Sequence, residues 1–232
     1  MPIKHIIITG ASKGIGAETA KYLCSKNIAV TAIARSQTEL NGLQQMYPDL
    51  LFPLVLDITL SSAASDITAH LKKNKLSIDG FIHNAGLLIN KKFLDLSDDD
   101  WNRQINVNLL APARLTRDLT PFFNSESHIV CISSMGGYQG SSKFPGLTAY
   151  SASKGALSIM SECLAVELAD HNISCNSLCL GAVQTEMLNQ AFPGLKAPLT
   201  AEEMGRYVSD FVLNGHRYYN GQVLPVTLGN PD

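Results

Sequence analysis

Tyr150 and Lys154 stand four residues apart in the stretch Tyr150-Ser151-Ala152-Ser153-Lys154. On a helix, positions i and i+4 leave the same face, one turn apart. Apolar side chains recur behind them at Leu157, Met160, Leu164 and Leu168, the pattern of an amphipathic helix over residues 155–170. A free tyrosine, with a pKa of about 10, exchanges protons poorly near neutrality. A neighbouring ammonium favours the phenolate and lowers that value. Such a pair can trade a proton with an oxygen that alternates between carbonyl and alkoxide. The same spacing also describes two residues that decorate a solvated helix, so its chemical reading depends on the rest of the chain.

Short apolar runs at 3–9, 28–34, 51–56, 78–83, 128–132, 173–180 and 222–227 read as strands. Helical patterns fall between them at 17–26, 37–46, 60–73 and 155–170. Another opens at Ser97 with three aspartates behind it and runs towards Phe122. A capping box at Thr200-Ala201-Glu202-Glu203 opens one that reaches about Leu213. This alternation predicts an α/β fold, a Rossmann-like doubly wound parallel sheet with helices on both faces. No repeat, linker or low-complexity tract interrupts it, so residues 1–232 read as a single dinucleotide-binding and catalytic domain.

Chemistry in such a sheet belongs at the carboxyl ends of its strands. The first strand runs into Gly10-Ala11-Ser12-Lys13-Gly14-Ile15-Gly16 and then a helix. Glycines there let the backbone turn tightly and approach a pyrophosphate, whose charge meets the helix N-terminus. The second strand ends at Ala34-Arg35-Ser36, with no carboxylate to hold a ribose 2′-hydroxyl. Arg35, with Lys13 in the glycine turn, suits a 2′-phosphate, which favours NADP over NAD. Asp57 closes the third strand, Asn84-Ala85-Gly86 the fourth, and Ser133-Ser134 the fifth. Gly181-Ala182-Val183-Gln184-Thr185 follows the sixth. Asn108 lies inside a helical stretch, where asparagine is disfavoured, and Pro112 predicts a kink beside it. A kink that frees a carbonyl or admits water would account for Asn108, as would a side chain facing solvent.

Composition narrows the class of function. The 232 residues are 45% hydrophobic and 16% charged, with a net charge of -2. That is enough for a substantial core, and it offers no basic stripe for nucleic acid and no polybasic segment for a membrane. The five cysteines are dispersed, without metal-ligand spacing, and read as reduced thiols in a cytoplasmic protein. No leader peptide or membrane-spanning run is expected.

Taken together, these motifs resemble the classical short-chain dehydrogenase/reductase family over nearly the whole chain. They are the glycine turn, Asn84-Ala85-Gly86, Asn108, Ser134, Tyr150-x-x-x-Lys154 and Asn176 ahead of Gly181. The resemblance implies an oxidoreductase with a nicotinamide cofactor, NADPH or NADP+, across the carboxyl edge. Asp57 would lie by the adenine, Asn84 and Gly86 by the cofactor's middle, and Thr185 by the carboxamide, with Gly181 and Val183 alongside. Ser134 would orient a substrate carbonyl and Tyr150 would protonate it. Lys154 would hold the ribose and depress the tyrosine pKa, and Asn108 would keep a water linking Lys154 to solvent. Ser134 is preferred to its neighbour Ser133 because the family's serine is usually the second of such a pair.

The chain departs from the family pattern at Leu180-Gly181, where Pro-Gly is usual, in a longer loop before Tyr150, and in its ending at 227–232. Residues 186–198 are short for a substrate lid, so a modest lid and an open site are expected. Leu87, Leu88, Met135, Tyr138, Phe144, Leu147, Met187 and Phe192 are candidates for the pocket wall or for plain packing. The expected activity is NADPH-dependent reduction of a ketone or aldehyde to an alcohol. The alternatives are an NADP-dependent alcohol dehydrogenase working oxidatively, or an idle NADP-binding sensor. The expected partners are a small carbonyl or alcohol substrate and further copies of the chain, as a homodimer or homotetramer. Leu157, Met160 and Leu164 could serve either the core or that interface.

Overall fold

The computed structural model describes residues 4–228. The expected start at Ile3 and the terminal stretch 229–232 lie outside them. In chain order the elements are β1 (His5–Thr9), α1 (Gly14–Ser25), β2 (Ala29–Ala34), α2 (Gln37–Met46), β3 (Leu51–Val55), α3 (Ala63–Asn74) and β4 (Ile78–His83). Then follow α4 (Asp98–Ile105), α5 (Ala111–Leu119), β5 (Phe123–Ser134), α6 (Thr148–Glu167) and β6 (Ile173–Leu180). The last are β7 (Val183–Gln184), α7 (Glu186–Ala191), β8 (Leu199–Thr200), α8 (Ala201–Asn214) and β9 (Val223–Val226). Seven strands form one sheet in the order β3-β2-β1-β4-β5-β6-β9, every neighbouring pair parallel. The two short strands β7 and β8 pair separately.

Strand alternation sorts the apolar residues into two cores. Ile6 and Ile8 join the face covered by α1 and α8, while Ile7 between them joins the face covered by α3, α5 and α6. Val130 and Ile132 face the first core, and Ile129 and Cys131 the second. A strand buried on both sides reads as a near-continuous apolar run rather than an alternation, which is why the run of three isoleucines is a strand. Each such side chain contributes about 1.5–3 kcal/mol on burial. The two edge strands each carry a proline, Pro53 and Pro225. The ladder bonds run through the even-numbered residues of both strands, as in Val30 N–H to Leu50 O and Gly181 N–H to Val226 O. Both prolines therefore turn their donor-less nitrogens outward.

The structure departs from the sequence reading in two places. β5 begins at Phe123, earlier than residue 128, because a polar segment with Glu126 at φ +64° bulges between the pairs Ile78–Phe123 and Gly80–His128. The helix expected from Ser97 towards Phe122 is broken one turn ahead of Pro112. Residues Asn106–Leu110 form a π-turn in which the Ala111 N–H bonds to the Asn106 carbonyl. Residues 186–198, expected to form at most a modest lid, include the six-residue α7. Leu157 is buried, and Met160 and Leu164 pack partly buried against the second core, so all three serve the protomer.

The α1–α8 crossing is close because Gly205 lacks a side chain. A Cβ there would stand 2.8 Å from the Glu18 Cβ and 2.9 Å from its backbone carbon. Gly205→Ala gains up to about 1 kcal/mol of helix propensity. The overpacking costs roughly 1–3 kcal/mol, and the clash involves main chain that cannot swing away. The variant is expected to unfold at lower urea concentration than the parent; an unchanged or raised midpoint would show that the crossing has slack.

Candidate active site

Parallel pairing delivers the ends of β1 to β6 to one edge of the sheet. Along that edge, in spatial order, lie Asp57, then Arg35 and Ser36, the glycine turn, Asn84-Ala85-Gly86, Ser134 and Gly181. With strands about 4.8 Å apart, the row is about 24 Å long. The sequence-selected residues are therefore brought together by topology, one set per strand.

The glycine turn has the shape its glycines permit. Gly10 and Gly14 have φ of +69° and +58°, which side-chain-bearing residues rarely adopt. A Cβ on Gly10 would strike the Ala85 backbone at 2.8 Å. Asn84 secures this approach, with its Nδ2 donating to the carbonyls of Thr9 and Gly10, both at 3.0 Å. The Ala85 N–H donates to the Thr9 hydroxyl. α1 then starts with no side-chain cap and no acid in its first turn. Its free N–H groups suit an anion, so the turn fits a pyrophosphate. Ile15 packs partly buried against the first core, and Ser12 is half-buried in the turn.

At the other strand ends the partners are more particular. Asp57 is held below the ordinary carboxylate range, chiefly by the Thr59 hydroxyl, with the Thr59 amide and Arg35 as lesser causes. Ser36 donates to the Glu39 carboxylate, and the Lys13 ammonium donates to Glu186 at 2.6 Å. Gly181 has no room for a side chain, because a Cβ would meet Thr227 at 2.6 Å. Val183 is buried, and Thr185 caps α7 by accepting from the Leu188 N–H. Thr185 also touches the glycine turn, 3.5 Å from where a Gly14 Cβ would stand.

Tyr150, Ser134 and Lys154 converge on this edge. The Ser134 hydroxyl lies beside that of Tyr150, close enough to oppose the rise of its pKa. Gly136 donates its N–H to the Ser134 oxygen at 3.1 Å. Ser133 does not share this position: its buried hydroxyl donates to the Lys154 carbonyl and anchors α6. The loop after Ser134 lies directly on α6, since a Cβ on Gly137 would stand 2.5 Å from the Gly155 nitrogen. Two glycines far apart in sequence thus set the distance between the serine and the tyrosine.

Lys154 is buried and donates to the Ile132 carbonyl at 2.7 Å, with its ammonium 6.0 Å from the centre of the Tyr150 ring. Burial pushes this lysine down to about 8, opposed by Cys131 and Cys179. Burial pushes Tyr150 up to about 12, with the Ser134 hydrogen bond pulling the other way. The expected depression of the tyrosine pKa by Lys154 is thus absent from the resting site. Desolvation of the phenolate dominates.

Asn108 is fully buried rather than solvent-facing. Its Oδ1 accepts from the Leu87 N–H, and its Nδ2 donates to the Leu87 carbonyl and the Ser153 hydroxyl. It stitches the segment after β4 to α6. Pro112 has no N–H for the Asn108 carbonyl four residues before it. Gln104 repeats the stitch one turn earlier, accepting from the Ile89 N–H. Sequence reading missed Gln104, Ser153 and the Gly137–Gly155 contact. The glycine pair flanking Ser134 and Lys154 was the available signal. Asn176 belongs elsewhere: it bonds His128, the Tyr219 carbonyl and the Gln222 N–H, fastening the chain that leads into β9. Of the candidate wall residues, Leu147 is buried in the fold, while Phe144 and Met187 are exposed.

Among the described residues no helix is long and apolar enough to cross a membrane, and no group of three or more His, Cys, Asp or Glu could hold a metal ion. Residues 4–196 match the family model for short chain dehydrogenases. The 3-oxoacyl-acyl-carrier-protein reductase of Thermotoga maritima is 28% identical, over 97% of both chains. Carbonyl reductase (NADPH) 2 of Sus scrofa is 30% identical over 78% of this chain and 72% of its own. Among solved structures, 4-hydroxyisoleucine dehydrogenase complexed with NADH superposes with a TM-score of 0.86 at 28% identity, covering 97% of this chain and 98% of that one. With the matched region running from β1 past α7 and containing every residue of the row just described, the chain belongs to the short chain dehydrogenase family of oxidoreductases.

Proposed function

We propose that this single-domain protein is an NADPH-dependent carbonyl reductase that converts a ketone or aldehyde into an alcohol. The observation that carries the reading is the Ser134–Tyr150 hydroxyl pair beside buried Lys154, at the edge where the glycine turn fits a pyrophosphate. Two neighbouring hydroxyls can share one substrate oxygen. When bound, the nicotinamide cofactor supplies the hydride.

The chain's own residues divide the remaining work. Gly10, Ser12, Gly14, Ile15 and Gly16 with the start of α1 hold the pyrophosphate. Lys13, Arg35 and Ser36 hold the 2′-phosphate, and Asp57 the adenine end. Asn84, Ala85 and Gly86 line the middle, where a Cβ on Gly86 would come within 3.4 Å of the Lys154 ammonium. Gly181, Val183 and Thr185 flank the carboxamide end. Ser134 orients the substrate oxygen, Tyr150 protonates it, and Lys154 holds the ribose. The Asn108 side chain is committed to Leu87 and Ser153, which leaves its carbonyl to hold a water that relays protons to Lys154. A tyrosine pushed up to about 12 carries its proton at neutral pH, as a donor must. The oxidative direction would need the phenolate as base.

The preference for NADPH is supported by Ala34, which ends β2 without a carboxylate, and by exposed Arg35. Fluorescence titration is expected to give tighter binding of NADPH than of NADH, and Ala34→Asp with Arg35→Leu to reverse the order. Equal affinities in the parent would refute it.

Tyr150→Phe removes the proton donor and leaves the packing of the ring. Its kcat on any accepted ketone is expected to fall about 10²–10⁴-fold with little change in NADPH affinity. Retention of most of kcat would exclude Tyr150 as the acid. Lys154→Met is expected to weaken both. Because the folded lysine sits at about 8, its charge is present below that pH and lost above it. NADPH binding should therefore weaken as pH rises through about 8 in the parent, and less so in the variant.

A homodimer or homotetramer is part of the same proposal. Ile159 and Val166 stand 61% and 77% exposed on α6, while Leu157 and Ala165 of the same helix face the core. Light scattering at micromolar concentration should give two or four times the 25.1 kDa chain mass, and a monomer would overturn it.

A further inference from the structure

Six ion pairs occur among the described residues, and five join residues no more than nine apart. The sixth, Lys13 to Glu186, spans 173 positions. It ties the glycine turn to the first residue of α7, at the place where Gly14 and Thr185 come into contact. Glu186 is itself held, since its second carboxylate oxygen accepts from Gln190 one turn along α7 at 2.9 Å. The acidic side of the pair therefore has a second tie, to Gln190, while the Lys13 ammonium bonds Glu186. Lys13 is also one of the cations assigned above to a 2′-phosphate.

Resting on that reading, we infer that Glu186 is a specificity-determining residue that occupies Lys13 and competes with the cofactor's 2′-phosphate for it. A carboxylate and a phosphate offer an ammonium the same kind of charge-assisted acceptor. Lys13 cannot serve the 2′-phosphate fully while it serves Glu186, so NADPH gives up part of its electrostatic advantage and NADH does not. Both side chains are more than half exposed, at 62% and 54%, so the competition is weak and screened by salt. Glu186 thus trims the preference for NADPH without abolishing it.

The test is a double-mutant cycle read by fluorescence titration of NADPH and NADH, without substrate, on the parent, Glu186→Gln, Lys13→Ala and the double variant. Glu186→Gln is expected to tighten NADPH about two- to fivefold and to leave NADH within about twofold, the range that an exposed ion pair provides. In the Lys13→Ala background that gain should vanish, and raised salt should shrink it in the parent background. If Lys13→Ala weakens NADPH but Glu186→Gln leaves the NADPH-to-NADH ratio unchanged, the role of Glu186 is refuted while the NADPH reading stands. A gain that persists undiminished without Lys13 would mean direct repulsion of the phosphate, and would also overturn the inference. If neither Lys13→Ala nor Arg35→Leu lowers NADPH affinity, the 2′-phosphate is not read here, and both readings fall.

Discussion

Parallel pairing obliges neighbouring strands to end on the same side, and most features of this molecule follow from that constraint. Each strand after the first must be reached by a helical crossover, which covers both faces of the sheet and makes two cores. The strand order then decides which residues become neighbours. Asp57 and Ser134 are 77 residues apart in the chain, yet they lie in one row because β3, β2, β1, β4 and β5 are adjacent. The glycine turn falls near the middle of the row, where Asn84 braces it from the next strand. A slip of one residue in any pair would move a strand's side chains to the opposite core.

A second level of order fixes the proton-handling end. α6 is drawn onto the sheet by Ser133 bonding the Lys154 carbonyl, by Lys154 bonding the Ile132 carbonyl, and by the bare backbone contact of Gly137 with Gly155. These contacts give Tyr150 a defined place, and they also dehydrate it. Dehydration holds the phenol in its neutral form and discourages the ammonium beside it. The resting site is thus arranged to keep a proton rather than to release one.

Much of this was readable from the sequence. Buried parallel strands are largely apolar, so β1, β2, β4 and β6 announced themselves, and the residues ending such strands fall in one row along the sheet edge. Reading was poorest where a local pattern is overruled by a distant contact. The polar start of β5 looks like a loop because its partner strand is 45 residues away. For Asn108 the pattern left a kink or a solvent-facing side chain open, because the Leu87 backbone that satisfies it is invisible in the helix pattern. Pro112 signalled a break correctly in kind, but the backbone took the strain one turn earlier, as a π-turn. The partners of Lys13 and Lys154 carry no periodic signal at all, and the direction of the Tyr150 shift depends on burial, which no local spacing encodes.

The prolines on the two border strands have a consequence for how copies of this chain can meet. A strand arriving alongside β3 or β9 would offer a carbonyl to Pro53 or Pro225 and find no donor. The ladder is only four or five residues long at either border, so one missing bond is a large fraction of what an added strand could gain. Continuous sheets running through several molecules, and the fibrous growth that follows from them, are discouraged at both ends. Copies of the chain are left to meet through helices and side chains, where shape and charge can discriminate, rather than through main chain, which every protein has in common.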